Sequence, residues 1–179
     1  WSMVNNSIAL YSTTERTVGT DTNHSVLHAV DLSNGKELWN NKLNSIFSYY
    51  YPPVIEKNII YFHTYILKKP EGSYFGIDLN SGQIVFEYVI NNSNQLRVHN
   101  NILFVKEKEL IALDIATKDV IWKFGTKSSS VTDYDIDQEN VYIEFTGPSG
   151  PNKDETGQNL CALKRLNRRC NGMLKITNQ

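Results

Sequence analysis

One phrase is written three times in this chain, and its spacing constrains the fold more than any other feature. "HAVDLSNGKELWNNKL", "FGIDLNSGQIVFEYVI" and "KELIALDIATKDVIWKF" share a small residue, an apolar residue, Asp, an apolar residue, a polar turn and a strand carrying an aromatic. Aligned on Asp31, Asp78 and Asp114, the small residue two positions earlier is Ala29, Gly76 or Ala112. The aromatic eight positions later is Trp39, Phe86 or Trp122. A second landmark precedes each copy, "NNSIALYS", "EKNIIYFHT" and "HNNILFVKE", a polar turn followed by β-prone residues. It recurs a fourth time as "DQENVYIEF", ahead of a worn copy of the main phrase, "LCALKRLNRRCNGMLKI", with Ala162 in the small slot and Lys164 in the Asp slot. Four units spaced about 36 to 51 residues apart signal a solenoid, an array or a propeller.

The third unit has the fewest insertions and shows the physics of one repeat. "NQLRV", "ILFV", "LIALDI" and "VIWKF" read as strands, separated by the turns "HNN", "KEKE" and "ATKD". Runs such as "ILFV" suit strands covered on both faces, while the fourth strand alternates as an outer strand should. Gly35 and Gly82 in "SNGK" and "NSGQ" supply the positive φ such turns demand, and Thr117-Lys118 stands there in unit three. Such a four-stranded antiparallel meander cannot bury both faces alone, but packed against copies of itself it can. No window carries a capped helical period. No strand is read before "NNSIALYS", which favours a propeller lacking an inner strand and hence a truncated or excised one.

Composition narrows function by exclusion. A formal net charge of −1 supplies no global field for nucleic acid or anionic membrane. No apolar run approaches the roughly 18 residues of a membrane span. The first residue is Trp1 and no signal-like segment precedes it, so the chain is expected to be a processed or excised piece. Cys161 and Cys170 come within disulfide reach if a hairpin turns near Asn167, which would imply an oxidising compartment; two free thiols are the alternative.

At these residues the sequence resembles the pyrroloquinoline-quinone-type repeat of quinoprotein-like β-propellers, in particular their assembly-factor and scaffold branch. Unit two, "PPVIEKNIIYF…YFGIDLNSGQIVF", and unit three, "ILFVKEKELIALDIATKDVIWKF", carry the likeness most fully. The resemblance implies an all-β propeller, or part of one, of about four four-stranded antiparallel blades at 1–44, 45–91, 92–127 and 128–179. It implies that Trp39, Phe86 and Trp122 wedge between blades and that Asp31, Asp78 and Asp114 brace turns. Family propellers usually have seven or eight blades, so four units look like part of a ring; an open array or a four-bladed ring also fits. The family's dehydrogenases need quinone, Ca²⁺ and a vicinal cysteine pair. This chain has no adjacent cysteines, so neither a cofactor nor a catalytic residue is expected.

Other candidates are weaker. Asp133, Asp135, Asp137 and Glu144 fall at positions one, three, five and twelve of a Ca²⁺ loop, but Gln138 stands where the turn needs Gly. His24, His28, His63 and His99 are scattered and no metal site is expected. Lys164, Arg165, Arg168 and Arg169 read as a solvated basic hairpin. The links between second and third strands differ more: "STTERTVGTDTNHS", "KKPEGS", "KEKE" and "GPSGPNKDETGQN". In a propeller these lie on one face with the blade-to-blade links, where repeat scaffolds place binding. Tyr49, Tyr50 and Tyr51 in "SYYYPP", read as a blade-to-blade link, and Lys153, Asp154 and Glu155 are the candidate binding residues. The expected function is a non-catalytic protein-binding scaffold outside the cytoplasm, in periplasm, lumen or secretion. The alternatives are a fragment of a quinone- and Ca²⁺-dependent dehydrogenase, or a sensor or inhibitor that pairs, or self-associates, through an exposed strand edge.

Overall fold

The computed structural model describes residues 2–16, 23–48, 52–66, 71–91, 95–107, 109–125, 130–148, 156–164 and 170–176. The first blade is β1 (Ser2–Asn5), β2 (Ile8–Arg16), β3 (Asn23–Asp31) and β4 (Glu37–Leu43). The second holds β5 (Ile46–Phe47), β6 (Val54–Glu56), β7 (Ile59–Tyr65), β8 (Glu71–Asp78) and β9 (Ile84–Asn91). The third is β10 (Gln95–His99), β11 (Ile102–Lys106), β12 (Leu110–Asp114) and β13 (Val120–Phe124). The fourth is β14 (Ser130–Ile136), β15 (Asn140–Pro148), β16 (Thr156–Lys164) and β17 (Cys170–Ile176). Within each sheet the strands run in chain order, as an antiparallel meander does. Among the described residues no helix is long and apolar enough to cross a membrane.

One expectation is corrected. An inner strand does precede "NNSIALYS": β1 pairs with β2 from Ser2↔Tyr11 to Asn5↔Ile8. Four half-polar residues are too few to show a period, so pairing with β2 rather than propensity makes this strand. In blade two, β5 and β6 both pair with β7, Phe47 opposite Thr64 and Val54 opposite Tyr61, so the first strand of this blade is made in two pieces. Tyr49, Tyr50 and Tyr51 lie outside the described residues.

The chain divides into two compact units, Trp1–Val98 and His99–Gln179. In the first, Leu10, Leu27 and Leu43 of blade one pack with Phe47, Phe62 and Phe75 of blade two. The link between these blades is stapled by hydrogen bonds, the Ser25 amide donating to the Ser45 carbonyl at 3.0 Å and the Phe47 amide to Ser25 Oγ at 3.0 Å. In the second unit, Phe104 and Trp122 pack with Tyr134, Ile143 and Phe145. The Tyr134 hydroxyl donates to the Phe104 carbonyl at 3.1 Å, satisfying a polar atom this core would otherwise penalise. The core of each unit thus lies between two sheets, which is where a meander with one face on its neighbour must put its apolar residues.

The repeated Asp builds the turn between the third and fourth strands. Asp31 accepts hydrogen bonds from the Ser33 amide (2.8 Å) and Asn34 Nδ2 (3.0 Å). Asp78 accepts from the Ser81 amide and hydroxyl, both at 2.9 Å, and Asp114 from the Ala116 and Thr117 amides at 2.8 and 3.0 Å. The Ser33 hydroxyl and amide hold Asp31 below the usual carboxylate range, and the Ser81 amide and hydroxyl do so for Asp78. The next residue then clamps the facing hairpin, with Leu32, Leu79 and Ile115 amides donating to the carbonyls of Ser7, Asn58 and Asn101. The fourth position of each turn is left-handed: Gly35 (φ 71°), Gly82 (φ 71°) and Lys118 (φ 63°). An L-residue with a Cβ costs about 1–2 kcal/mol there, against about 0.5–1 kcal/mol of extra chain entropy for glycine. Lys118→Gly is therefore expected to stabilise the protein by about 0.5 kcal/mol, seen as a higher denaturation midpoint at unchanged m-value.

Candidate functional site

The opposite end of the sheets, where second strands turn to third strands, is where the blades differ. β11 and β12 have five residues each, but β2, β3, β15 and β16 have nine. The ladders run continuously to Arg16↔Asn23 and to Pro148↔Thr156. Much of what reads as loop in "STTERTVGTDTNHS" and "GPSGPNKDETGQN" is therefore paired strand, through Arg16 and Asn23 in the first and through Pro148 and Thr156 in the second. The four extra residues make each arm about 13 Å longer than a five-residue strand. Polar residues on both faces hide such arms from an apolar-periodicity reading, because backbone pairing rather than burial makes them strands. Lys153, Asp154 and Glu155 lie outside the described residues.

In the first unit a cleft of about 310 Å³ opens between the blades near this end. Lys42, Ser45, Thr64, Ser73, Phe75 and Glu87 are among the residues lining it. Its cause is visible in β4. Trp39 fills the space between the sheets at the turn end, its indole N–H donating to the Leu79 carbonyl at 2.8 Å, and Asn41 Nδ2 donates to the Gly82 carbonyl at 2.9 Å. Leu43, which lines the cleft, is the only apolar side chain after Trp39 in β4. Lys42 pairs with Glu15 on the hairpin arm at 2.7 Å, which holds Glu15 below its ordinary range and ties the long hairpin to the cleft wall. Hydroxyls, one cation and one anion surround an apolar floor, a lining that can fix the orientation of a bound group.

The outward face of blade one is a closed polar network. His28 Nδ1 meets Glu37 Oε2 at 2.8 Å, His28 Nε2 meets Thr13 Oγ1 at 3.0 Å, and Asn40 Nδ2 donates to Glu37 Oε1 at 2.7 Å. Tyr11 stacks on His28 at 4.6 Å with the rings 7° from parallel. The hydroxyl, imidazole and carboxylate are in line as in a hydrolytic relay. They lie on an exposed sheet face, whose backbone amides are committed to the β2–β3 and β3–β4 ladders.

Phe86 is 2% exposed and lies edge-on to Tyr61 at 6.3 Å, over Gly76, where a Cβ would stand 3.0 Å from both Phe86 Cβ and the Tyr61 ring. Trp122 is tilted against Phe104 at 5.9 Å. The calcium-loop carboxylates are not gathered round a common centre. Asp137 Oδ1 accepts from the Asn140 and Glu139 amides, both at 2.7 Å, and Oδ2 from the Tyr142 hydroxyl at 2.8 Å; these bonds pull its pKa down to about 2. Among the described residues no group of three or more His, Cys, Asp or Glu is placed to hold a metal ion. His63, half-buried beside β8, has no hydrogen-bond partner for Nδ1 among the described residues, and desolvation lowers its pKa to about 4. Cys161 is buried and disulfide-bonded; the side chain of Cys170, the other cysteine of the chain, lies outside the described residues. Sequence reasoning missed the cleft and His63. The cleft joins residues from two blades, and nothing local distinguishes His63 from the other histidines.

No family model and no curated protein matches the chain. Its likeness is to solved structures. The β-propeller domain of the trilobed protease from Pyrococcus furiosus, described as an open velcro topology, superposes with a TM-score of 0.62 at 11% identity, covering 99% of this chain and 56% of that one. The computationally designed protein Ika8 matches with a TM-score of 0.59 at 11% identity, over 97% of this chain and 60% of its own. BamB from Moraxella catarrhalis matches with a TM-score of 0.50 at 16% identity, over 94% and 58%. The fold is a β-propeller of four-stranded antiparallel blades, and the chain spans between 56% and 60% of the length of these structures.

Proposed function

We propose that the chain is a non-catalytic, protein-binding propeller scaffold that presents the link end of its blades to a polypeptide partner, in the manner of the assembly-factor branch of quinoprotein-like propellers. One contrast carries the reading. The Asp-braced turns of the first three blades are near copies, whereas their link ends differ. Blade one extends nine-residue arms, blade three keeps five, and blade four again extends nine. A repeat scaffold recognises with what varies and folds with what repeats. The cleft between blades one and two lies beside one of the long hairpins. The carboxylates of Asp31, Asp78, Asp114 and Asp137 are all occupied by turn donors, which supports a framework role for them. The Cys161 disulfide favours an oxidising, extracytoplasmic setting.

The test is a variant in which residues 149–155 are replaced by a two-residue turn joining Pro148 to Thr156. Captured partner, measured by cross-linking in the native host, is expected to fall at least tenfold, with the thermal midpoint unchanged. Unaltered capture would remove residues 149–155 from the binding surface. Metal analysis with an absorbance scan for bound quinone separates the scaffold from a dehydrogenase fragment, which would carry both.

A further inference from the structure

The outermost strands differ in what guards their free edges. β4, "ELWNNKL", carries Glu37 and Lys42, and β13, "VIWKF", is five residues long with Lys123. β9, "IVFEYVIN", runs eight residues, pairs among the described residues with β8 alone and has Glu87 as its single charge. Long apolar edges are ordinarily blunted by Lys, Pro or bulges, because their unpaired amides and carbonyls template another strand. β9 shares with β4 and β13 a bulge near its start, at Val85, but from Phe86 to Asn91 it pairs with β8 without a register shift and carries neither Lys nor Pro. Alternation sends Phe86 and Ile90 inward, both 2% exposed, and leaves Val85 53% and Val89 64% exposed on the other face, on either side of Glu87. Ile84 and Glu87 also line the cleft, so the open face of β9 continues into it. Among the described residues Glu87 belongs to neither ion pair, His28–Glu37 or Lys42–Glu15.

We propose that the free edge of β9 takes up an extended strand of a partner polypeptide whose facing side reads apolar, basic, apolar at alternate positions. The inference rests on the partner-binding reading above and specifies how the partner is held. Backbone hydrogen bonds supply the attachment, and alternate side chains supply the choice of partner. Val85 and Val89 call for apolar neighbours, and Glu87 between them calls for a cation. A second copy of this chain is the poorer occupant, because two-fold antiparallel pairing centred on the strand brings Glu87 towards Glu87.

The experiment uses a blocked, fluorescein-labelled peptide, Thr-Val-Thr-Lys-Thr-Val-Thr, and its Glu-centred counterpart, titrated into the full chain by anisotropy. The Lys peptide is expected to bind at least tenfold more tightly. Glu87→Lys, an exposed change that leaves the core untouched, is expected to invert that preference. N-methylation of alternate peptide amides is expected to abolish binding. Equal binding of both peptides, saturation by neither at millimolar concentration, or no inversion in the variant overturns the proposal. So does sedimentation showing that wild-type chains dimerise and Val89→Lys chains do not, since a second copy would then own the edge. If shortening 149–155 lowers partner capture but the peptides are not discriminated, the strand-addition inference alone fails. If capture is unaffected while Glu87→Lys inverts the preference, the link-end reading alone fails.

Discussion

Gly82→Ala is expected to destabilise the protein by about 3 kcal/mol, while Gly35→Ala, at the matching position of the preceding repeat, costs about 1 kcal/mol. Both glycines have φ 71°, so both substitutions carry the same left-handed penalty. They differ in what the new methyl group meets. At Gly35 nothing lies within 4 Å, but at Gly82 the Cβ would stand 2.6 Å from Cδ2 of Trp39, inside van der Waals contact. The ring cannot retreat without giving up the 2.8 Å bond from its N–H to the Leu79 carbonyl. The measurement is urea denaturation of both variants. For a chain of this size the difference of about 2 kcal/mol also separates their thermal midpoints by roughly 4–8 °C. Trp39→Ala removes the obstacle, so the double variant is expected to be less destabilised than the sum of the singles by about 1–2 kcal/mol. Additivity would mean that the indole and the turn of the next blade are independent, contrary to their geometry.

Acid is expected to destabilise the protein in two steps with different owners. His63 is neutral in the fold with a pKa of about 4, against 6.5 in the unfolded chain. The unfolded state therefore gains its proton first, and stability falls as pH drops from 6.5 towards 4, then levels. An unscreened shift of this size would remove about 2 kcal/mol by pH 5. The ring is only part-buried, so solvent screening leaves about 1 kcal/mol. His63→Gln keeps a polar side chain but cannot titrate, and its stability is expected to be flatter between pH 7 and pH 4. An unchanged slope would assign the acid loss elsewhere. Asp137 acts lower. Its depressed pKa of about 2 means that its contribution is present above the ordinary 3.8 and is lost as pH falls towards 2. Asp137→Asn is expected to alter that lower window alone.

The fold class was legible because the repeat writes its joinery locally. Asp31, Asp78 and Asp114 bond to amides two and three residues ahead, and the left-handed slot follows within the same turn. Such short-range geometry leaves a residue-type signature at fixed spacing. What was not legible depends on distant partners. Ser2–Asn5 is a strand because β2 lies beside it, and the Thr- and Glu-bearing arm of β2 is a strand because β3 runs antiparallel to it as far as Asn23. The interruption of the first strand of blade two is visible only once Phe47 and Val54 are seen against the same neighbour. The cleft is subtler still, since it exists where Trp39 stops filling space.

The polar face of blade one sets a limit on how this protein can be rearranged. Repeat proteins are often treated as strings of interchangeable modules, open to shuffling, duplication or grafting. Thr13, His28, Glu37 and Asn40 already spend their hydrogen bonds on one another, and Glu15 spends its charge on Lys42. To seat another sheet there, these groups would have to be stripped of water unless new partners received them. Any sheet placed against blade one on that side therefore has to answer two demands at once, hydrogen bonds for this network and apolar atoms for Val4, which shares the face of Tyr11 and is 64% exposed. A recombined propeller that places blade one mid-array needs a neighbour that meets both.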